Sequence, residues 1–493
     1  MATFDYSEVT HLLDGVPTGI RLGHEDTPAT GNGTFEVEDP ATGEVIAKVA
    51  DAQSADWMRA LELADAVRDE WAAVAPRTRA DILREIFDRV MDRADDFATL
   101  MTLEMGKTYA DAKAEVTYGA DYLRWFGEEA VRMYGNHYAS PAGNGSITTS
   151  LRPVGPALAI TPWNFPLAMP TRKIGPALAA GCPIIVKPAK ESPLTMLLFG
   201  QIATDVLKEY DVPSGVISIV PSQSSTDLSR ELMADPRLRK VTFTGSTAVG
   251  KKLVEQSAEN LQRTSMELGG NAPYIVHRDA DLDEVIEGAK TAKMRGGGEV
   301  CIAANRFIVH EDIAAEFADR MVEMMESYTR GHGLAEGTTQ GPLVSAKQRD
   351  QIAELVDAAR DAGATIRTGG APIEGEGYFY PATVITDIPD DADILRQEIF
   401  GPVATITTYS DVEEAVRKAN DTEFGLAAYA FSKDFETSEY FARHLDAGMV
   451  GINRAGISDA AAPFGGVKFS GFGREGGPEG IHEYVEVHYI AKP

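Results

Sequence analysis

From residue 156 onward the chain alternates short, β-rich apolar runs with helical patterns: "ALAIT", "PIIVK", "VISIV", "KVTFT" and "PYIVH" are separated by stretches of helical periodicity. Parallel strands cannot be joined by a tight hairpin; they need a crossover, and a helix is the crossover that packs back on the sheet. The alternation therefore predicts βαβ units in a parallel, doubly wound sheet of Rossmann type. A nucleotide is the default ligand of such a sheet, at the carboxyl ends of the strands. A further α/β stretch runs from about 302 to 456. Upstream, Trp57, Leu61, Ala64, Val67 and Trp71 recur at steps of three and four, the period of an amphipathic helix. Ile82, Leu83, Ile86, Phe87 and Val90 repeat it, behind a Thr78 and Asp81 pair that reads as a capping box. Two segments fit neither pattern: "NHYASPAGNGSITTSLRPV", with a Gly-Asn-Gly turn between strand-like flanks, and the C-terminal "EYVEVHYI". Both are expected to be strands that pair across a subunit interface, in a homodimer or homotetramer.

At 493 residues, 44% hydrophobic, the chain is long enough for more than one core. The N-terminal "MATFDYSEVTHLLDG" lacks the basic and apolar regions of a secretory signal, and the most apolar stretch, 174–186, is short and holds two prolines. Two cysteines, Cys182 and Cys301, cannot build a disulfide framework, and the expected location is the cytoplasm. With 75 acidic and 46 basic side chains the formal charge is -29, which excludes nucleic acid and anionic membranes as partners. The acids are dispersed along the chain, and we expect adaptation to high salt, where screening quiets self-repulsion.

There is no G-x-S-x-G, no H-E-x-x-H and no clustered Cys/His spacing, so neither a serine hydrolase nor a metal site is expected. "GFGREG" (471–476) matches the dinucleotide fingerprint but follows no strand, and is expected to be a flexible turn. "GSTAVG" (245–250) is better placed: it follows "KVTFT" and opens a helix, so Gly245, Ser246 and Thr247 either face a pyrophosphate or simply cap that helix. Cys182, in "AAGCPIIV", reads as an inert core thiol. Cys301, in "RGGGEVCIAANR", sits behind three glycines that allow a ligand close to the backbone.

Seven segments appear in order: "TPWNFP", "KPAKESP", "FTGSTAVG", "MELGGNAP", "GGGEVCIAANR", "EIFGPV" and "PFGGVKFSGFGREGG". Together they resemble the aldehyde dehydrogenase superfamily from about residue 30 to the end. The resemblance implies a Rossmann-like cofactor domain (1–134 and 151–265), an α/β catalytic domain carrying the nucleophile (266–456), oligomerisation strands (135–150 and 478–493) and a returning segment (457–477). It implies that Cys301 attacks an aldehyde, that Asn164 donates to the oxyanion with the Cys301 N–H, and that Glu267, 34 residues earlier, is the general base releasing free acid. A thiolate suits this chemistry because it is both a strong nucleophile and a competent leaving group.

By the same resemblance Glu398 holds the nicotinamide ribose beside Phe400, while Trp163, Lys187, Ser246, Gly245 and Leu268 contact the rest of the cofactor. Lys190 stands where NAD-preferring members often carry glutamate, and an ammonium attracts the 2′-phosphate that a carboxylate repels. The expected cofactor is thus NADP, or NADP and NAD both; the alternative is that Lys190 points to solvent beside Glu191. Arg172, Arg295 and Ser458 match the positions by which succinate-semialdehyde dehydrogenases hold a distal carboxylate, a group that guanidinium grips bidentately. The expected substrate is a small aldehyde with a terminal carboxylate. Succinate semialdehyde leads, with 2,5-dioxopentanoate, glutarate semialdehyde or a small neutral aldehyde as alternatives, and a structural ion pair as the alternative role of either arginine. A non-catalytic binding protein on the same fold is the rival from another class. Two departures stand out: Gly296 and Glu299 replace the family's frequent Asn and Gln, so Glu299 is expected to bring negative charge near the substrate. Ala303 removes a second cysteine seen in some relatives, leaving the Cys301 thiol open to peroxide.

Overall fold

The structure, a computed structural model, describes residues 4–224 and 226–493; the first three residues of the expected cofactor domain lie outside it. Two large sheets organise the described residues. In the eight-stranded sheet, five parallel strands run in the order Arg263–Glu267, Lys240–Thr244, Ala157–Ile160, Ile184–Lys187 and Ile217–Ile219. Antiparallel edges close it, Gly471–Phe472 on one side and Ile20–Leu22 with Glu25–Thr27 on the other. The inner strands 157–160, 184–187 and 240–244 are buried at every position, the pattern of parallel strands covered on both faces. The expected helical face of Trp57, Leu61, Ala64, Val67 and Trp71 is buried, on the helix Ser54–Ala73.

The second sheet has seven strands, with Ala304–His310 and Ala272–Val276 at its middle. "PYIVH" therefore does not continue the first sheet. The first sheet takes Arg263–Glu267 instead, whose polar lettering hides it from hydropathy, and the expected boundary at 265/266 falls inside that strand. The capping box is also corrected. Helix Pro76–Asp92 begins two residues before Thr78, because a proline at its first position already has the helical φ and lacks the N–H a cap would bind. "GFGREG" is no free turn: Gly471–Phe472 pairs with Met266 and Glu267.

Strands His137–Ala139, Ser146–Pro153 and Val485–Lys492 form a three-stranded antiparallel sheet within one chain. The expected oligomerisation strands thus pair first with each other, because the Gly143–Gly145 turn folds 137–139 onto 146–153 and the C-terminus returns to the other side. The strand 146–153 also runs three residues past the expected boundary at 150. No described helix is long and apolar enough to cross a membrane.

Candidate active site

Cys301 sits in the turn between the 3₁₀ segment Arg295–Gly298 and the strand Ala304–His310. Gly296, Gly297 and Gly298 have φ of +55°, +68° and +82°, a left-handed run that side chains resist. Gly298 lies against protein, a Cβ there falling 2.4 Å from the Gly401 carbonyl, whereas a Cβ on Gly297 would meet nothing within 4 Å. The opposite wall is as tight: a Cβ on Gly270 would lie 2.3 Å from the Cys301 carbonyl. The cysteine is thus held between the loop after the first sheet and the loop of "EIFGP". Cys301 keeps partial solvent exposure, yet the surrounding atoms desolvate it, and burial pushes its thiol up to about 12 against the pull of Arg172. Burial thus disfavours the thiolate, the form on which susceptibility to peroxide depends. Cys182 is fully buried, donates to the Tyr484 carbonyl at 3.3 Å and is pushed to about 11 by burial, as an inert thiol should be.

Asn164 is buried and lines the same cavity as Cys301. Its Nδ2 donates to the Glu299 carbonyl at 2.9 Å, which leaves one amide hydrogen for an oxyanion. Two residues no motif singled out fix its loop: Lys107 Nζ donates to the Asn164 carbonyl at 2.8 Å and is ion-paired with Glu115, whose Oε1 accepts from Leu167 N (2.9 Å) and Ala168 N (3.1 Å). Burial raises the Glu299 carboxyl well above its usual range, against Lys107, and its side chain accepts only from Val344 N. Desolvation thus works against the negative charge expected there.

Glu267 ends the strand Arg263–Glu267, and both its carboxylate oxygens are buried without a hydrogen-bond partner. Burial, then the Glu475 carboxylate, raise its pKa well above the ordinary value, against Arg172 and Lys173. Glu475, which pairs with both of these cations, comes from the "GREGG" segment that reads as a turn. Only the return of residues 464–475 along the first sheet reveals it.

A cavity of about 600 Å³ joins Cys301 and Asn164 to Trp163, Gly245, Ser246, Leu268, Glu398 and Phe400. It lies at the carboxyl ends of the strands Ala157–Ile160 and Lys240–Thr244, as the topology demands. Ser246 precedes the helix Thr247–Ser257 without capping it, so the first N–H groups of that helix stay available to a phosphate. Glu398 accepts from Gly270 N at 2.9 Å, and a Cβ at 269 would lie 2.7 Å from its Oε2, so a side chain there would displace the carboxylate. Phe400 holds a strained φ of +53° against Trp163, ring centroids 5.4 Å apart. Size, polarity and a helix N-terminus fit a nicotinamide dinucleotide. Lys187, at the end of its strand, is buried, which lowers it to about 8, while Lys190 is exposed 4.0 Å from Glu191.

A second cavity, of about 40 Å³, is lined by Val300 and Ile302, the two neighbours of Cys301, together with Arg295 and Ser458. Arg172, expected beside them, has no exposed side-chain surface. Its guanidinium is taken up by Glu475 at 3.1 Å, by Tyr122 and by the Phe464 ring at 3.9 Å.

A sequence model described as "Aldehyde dehydrogenase family" matches residues 27–490. A succinate-semialdehyde dehydrogenase of Paenarthrobacter nicotinovorans is 53% identical, over 90% of this chain and 98% of its own. The NADP(+) succinate-semialdehyde dehydrogenase of Escherichia coli K12 is 40% identical, over 92% of this chain and 94% of its own. The crystal structure of succinate-semialdehyde dehydrogenase from Burkholderia pseudomallei superposes with TM-score 0.93 at 43% identity, over 97% of this chain and 98% of that one.

Proposed function

We propose, since this chain belongs to the aldehyde dehydrogenase family, that it oxidises succinate semialdehyde to succinate with NADP. The observation that supports the substrate is that Arg295 and Ser458 line one small cavity together with Val300 and Ile302, the two neighbours of Cys301.

The Cys301 thiol gives its proton to solvent as its sulfur bonds to the aldehyde carbon, and the carbonyl oxygen becomes an oxyanion. The free amide hydrogen of Asn164 meets that charge, an interaction of about 3 kcal/mol in comparable sites. Glu398, Ser246 and Lys187 would hold NADP, which when bound would supply the hydride acceptor that takes this carbon to the oxidation level of a thioester. What remains on Cys301 is a thioester. Glu267 takes a proton from water, the water oxygen opens the thioester, and the sulfur leaves with the acid freed. The desolvated carboxylate at 267 has no partner of its own to compete with that water.

Reduction of NADP and NAD over a panel of aldehydes tests the assignment. The highest kcat/KM is expected with succinate semialdehyde and NADP, above glutarate semialdehyde and butanal. Lys190→Glu is expected to lower the NADP to NAD ratio about tenfold or more. A preference for neutral aldehydes ends the substrate assignment, and an unchanged ratio ends the role of Lys190.

A further inference from the structure

Tyr118 touches all three residues expected to hold the distal carboxylate, although no motif names it. Its hydroxyl lies 2.5 Å from Ser458 Oγ and 3.4 Å from Arg172 Nη2, and its ring lies 5.2 Å from the Arg295 guanidinium carbon. One turn along the same helix, Tyr109–Ala130, buried Tyr122 places its hydroxyl 2.8 Å from that of Tyr118 and 3.2 Å from Arg172 Nη2.

The direction of these bonds follows from Arg172. A guanidinium only donates, so both phenol oxygens accept from it. Tyr122 must then give its single proton to Tyr118, the acceptor beside it. Tyr118, accepting twice, has one proton left and gives it to Ser458. Ser458 ends the chain with its own hydroxyl proton free for the cavity it lines with Arg295. Reversing the chain leaves the buried Tyr122 hydroxyl facing only a donor.

We propose, building on the distal-carboxylate reading above, that Tyr118 is a positioning residue that fixes Ser458 as a donor. The buried, Glu475-bound Arg172 thereby favours an anionic substrate end without touching it. Arg295 and the Ser458 hydroxyl then take the two carboxylate oxygens. A substrate with an apolar end meets a polarised hydroxyl it cannot satisfy.

The test is the ratio of kcat/KM for succinate semialdehyde to that for butanal. Tyr118→Phe removes one oxygen and is expected to lower the ratio about tenfold, through KM for the acid-bearing aldehyde. Ser458→Ala is expected to lower it similarly, and the double variant no further than Ser458→Ala alone, since the two act in series. Multiplying losses, or no loss from Tyr118→Phe, overturn the proposal. Arg295→Met separates the layers: an unchanged ratio there removes the distal-carboxylate reading itself, whereas a reduced ratio with Tyr118→Phe silent removes only the chain. Should Tyr118→Phe fail to fold, Tyr122→Phe interrupts the chain one link earlier, and an unchanged ratio in it counts equally against the proposal.

Discussion

In the reaction proposed above, Glu267 is the base that releases the product, so its proton is expected to decide the rate of that step. Its pKa is raised by burial and by Glu475, so it is neutral through the ordinary carboxylate range and becomes a base only as pH rises above it. Under saturating aldehyde, kcat is therefore expected to climb with pH. Glu475→Gln removes the like charge and frees Lys173 and Arg172 to favour the ionised form, so the climb moves to lower pH. Glu267→Gln is expected to give about one equivalent of reduced cofactor per site and then turn over about 10²–10⁴-fold more slowly, read in stopped flow. A rise at unchanged pH in Glu475→Gln contradicts the electrostatic account. Glu267, Asn164 and Cys301 were legible in the chain because each lies in a motif. Lys107, Glu115 and Tyr118 were not, since each lies outside every motif and reaches Asn164, Ala168 and Ser458, which are 57, 53 and 340 positions away; Glu475 lies in a motif, but its part shows only in its pairing with Arg172 and Lys173.

At the scale of elements, the oxyanion loop hangs from the helix Tyr109–Ala130 through a buried ion pair. Removing one partner of such a pair costs about 3–5 kcal/mol, because the other charge is stranded. Lys107→Met is thus expected to lower both melting temperature and kcat. Adding Glu115→Gln removes the stranded charge, so the melting temperature recovers while kcat stays low, the Asn164 carbonyl having lost its anchor. Recovery of both together makes the pair merely structural. The strands 157–160 and 184–187 announce themselves by continuous apolar lettering, as parallel strands buried on both faces must. Arg263–Glu267 does not, because its first residue is exposed and its last one works in the site. The helix start at Pro76 shows how one proline outweighs a plausible Thr78 cap.

For the molecule as a whole, charge is the unusual quantity. Even if every basic side chain found an acidic partner, 29 acids would be left over. Exposed pairs such as Arg59–Glu62 contribute little, whereas the surplus repels itself throughout the surface. The melting temperature is expected to rise between 10 mM and 1 M potassium chloride, and a fall on adding salt removes the idea of adaptation to a saline interior. We further propose that the three-stranded sheet carries subunit contacts, as its exposed Tyr138, Val487 and Tyr489 suggest.

That sheet has a temporal side. Ser146–Pro153 leaves the ribosome 332 residues ahead of Val485, the start of its long partner. At elongation rates of about 5–20 residues per second the earlier strand waits on the order of twenty seconds to a minute for its neighbour. Assembly through this surface therefore waits for Val485–Lys492, and a nascent chain halted ahead of Val485 carries Ser146–Pro153 as an unfinished edge.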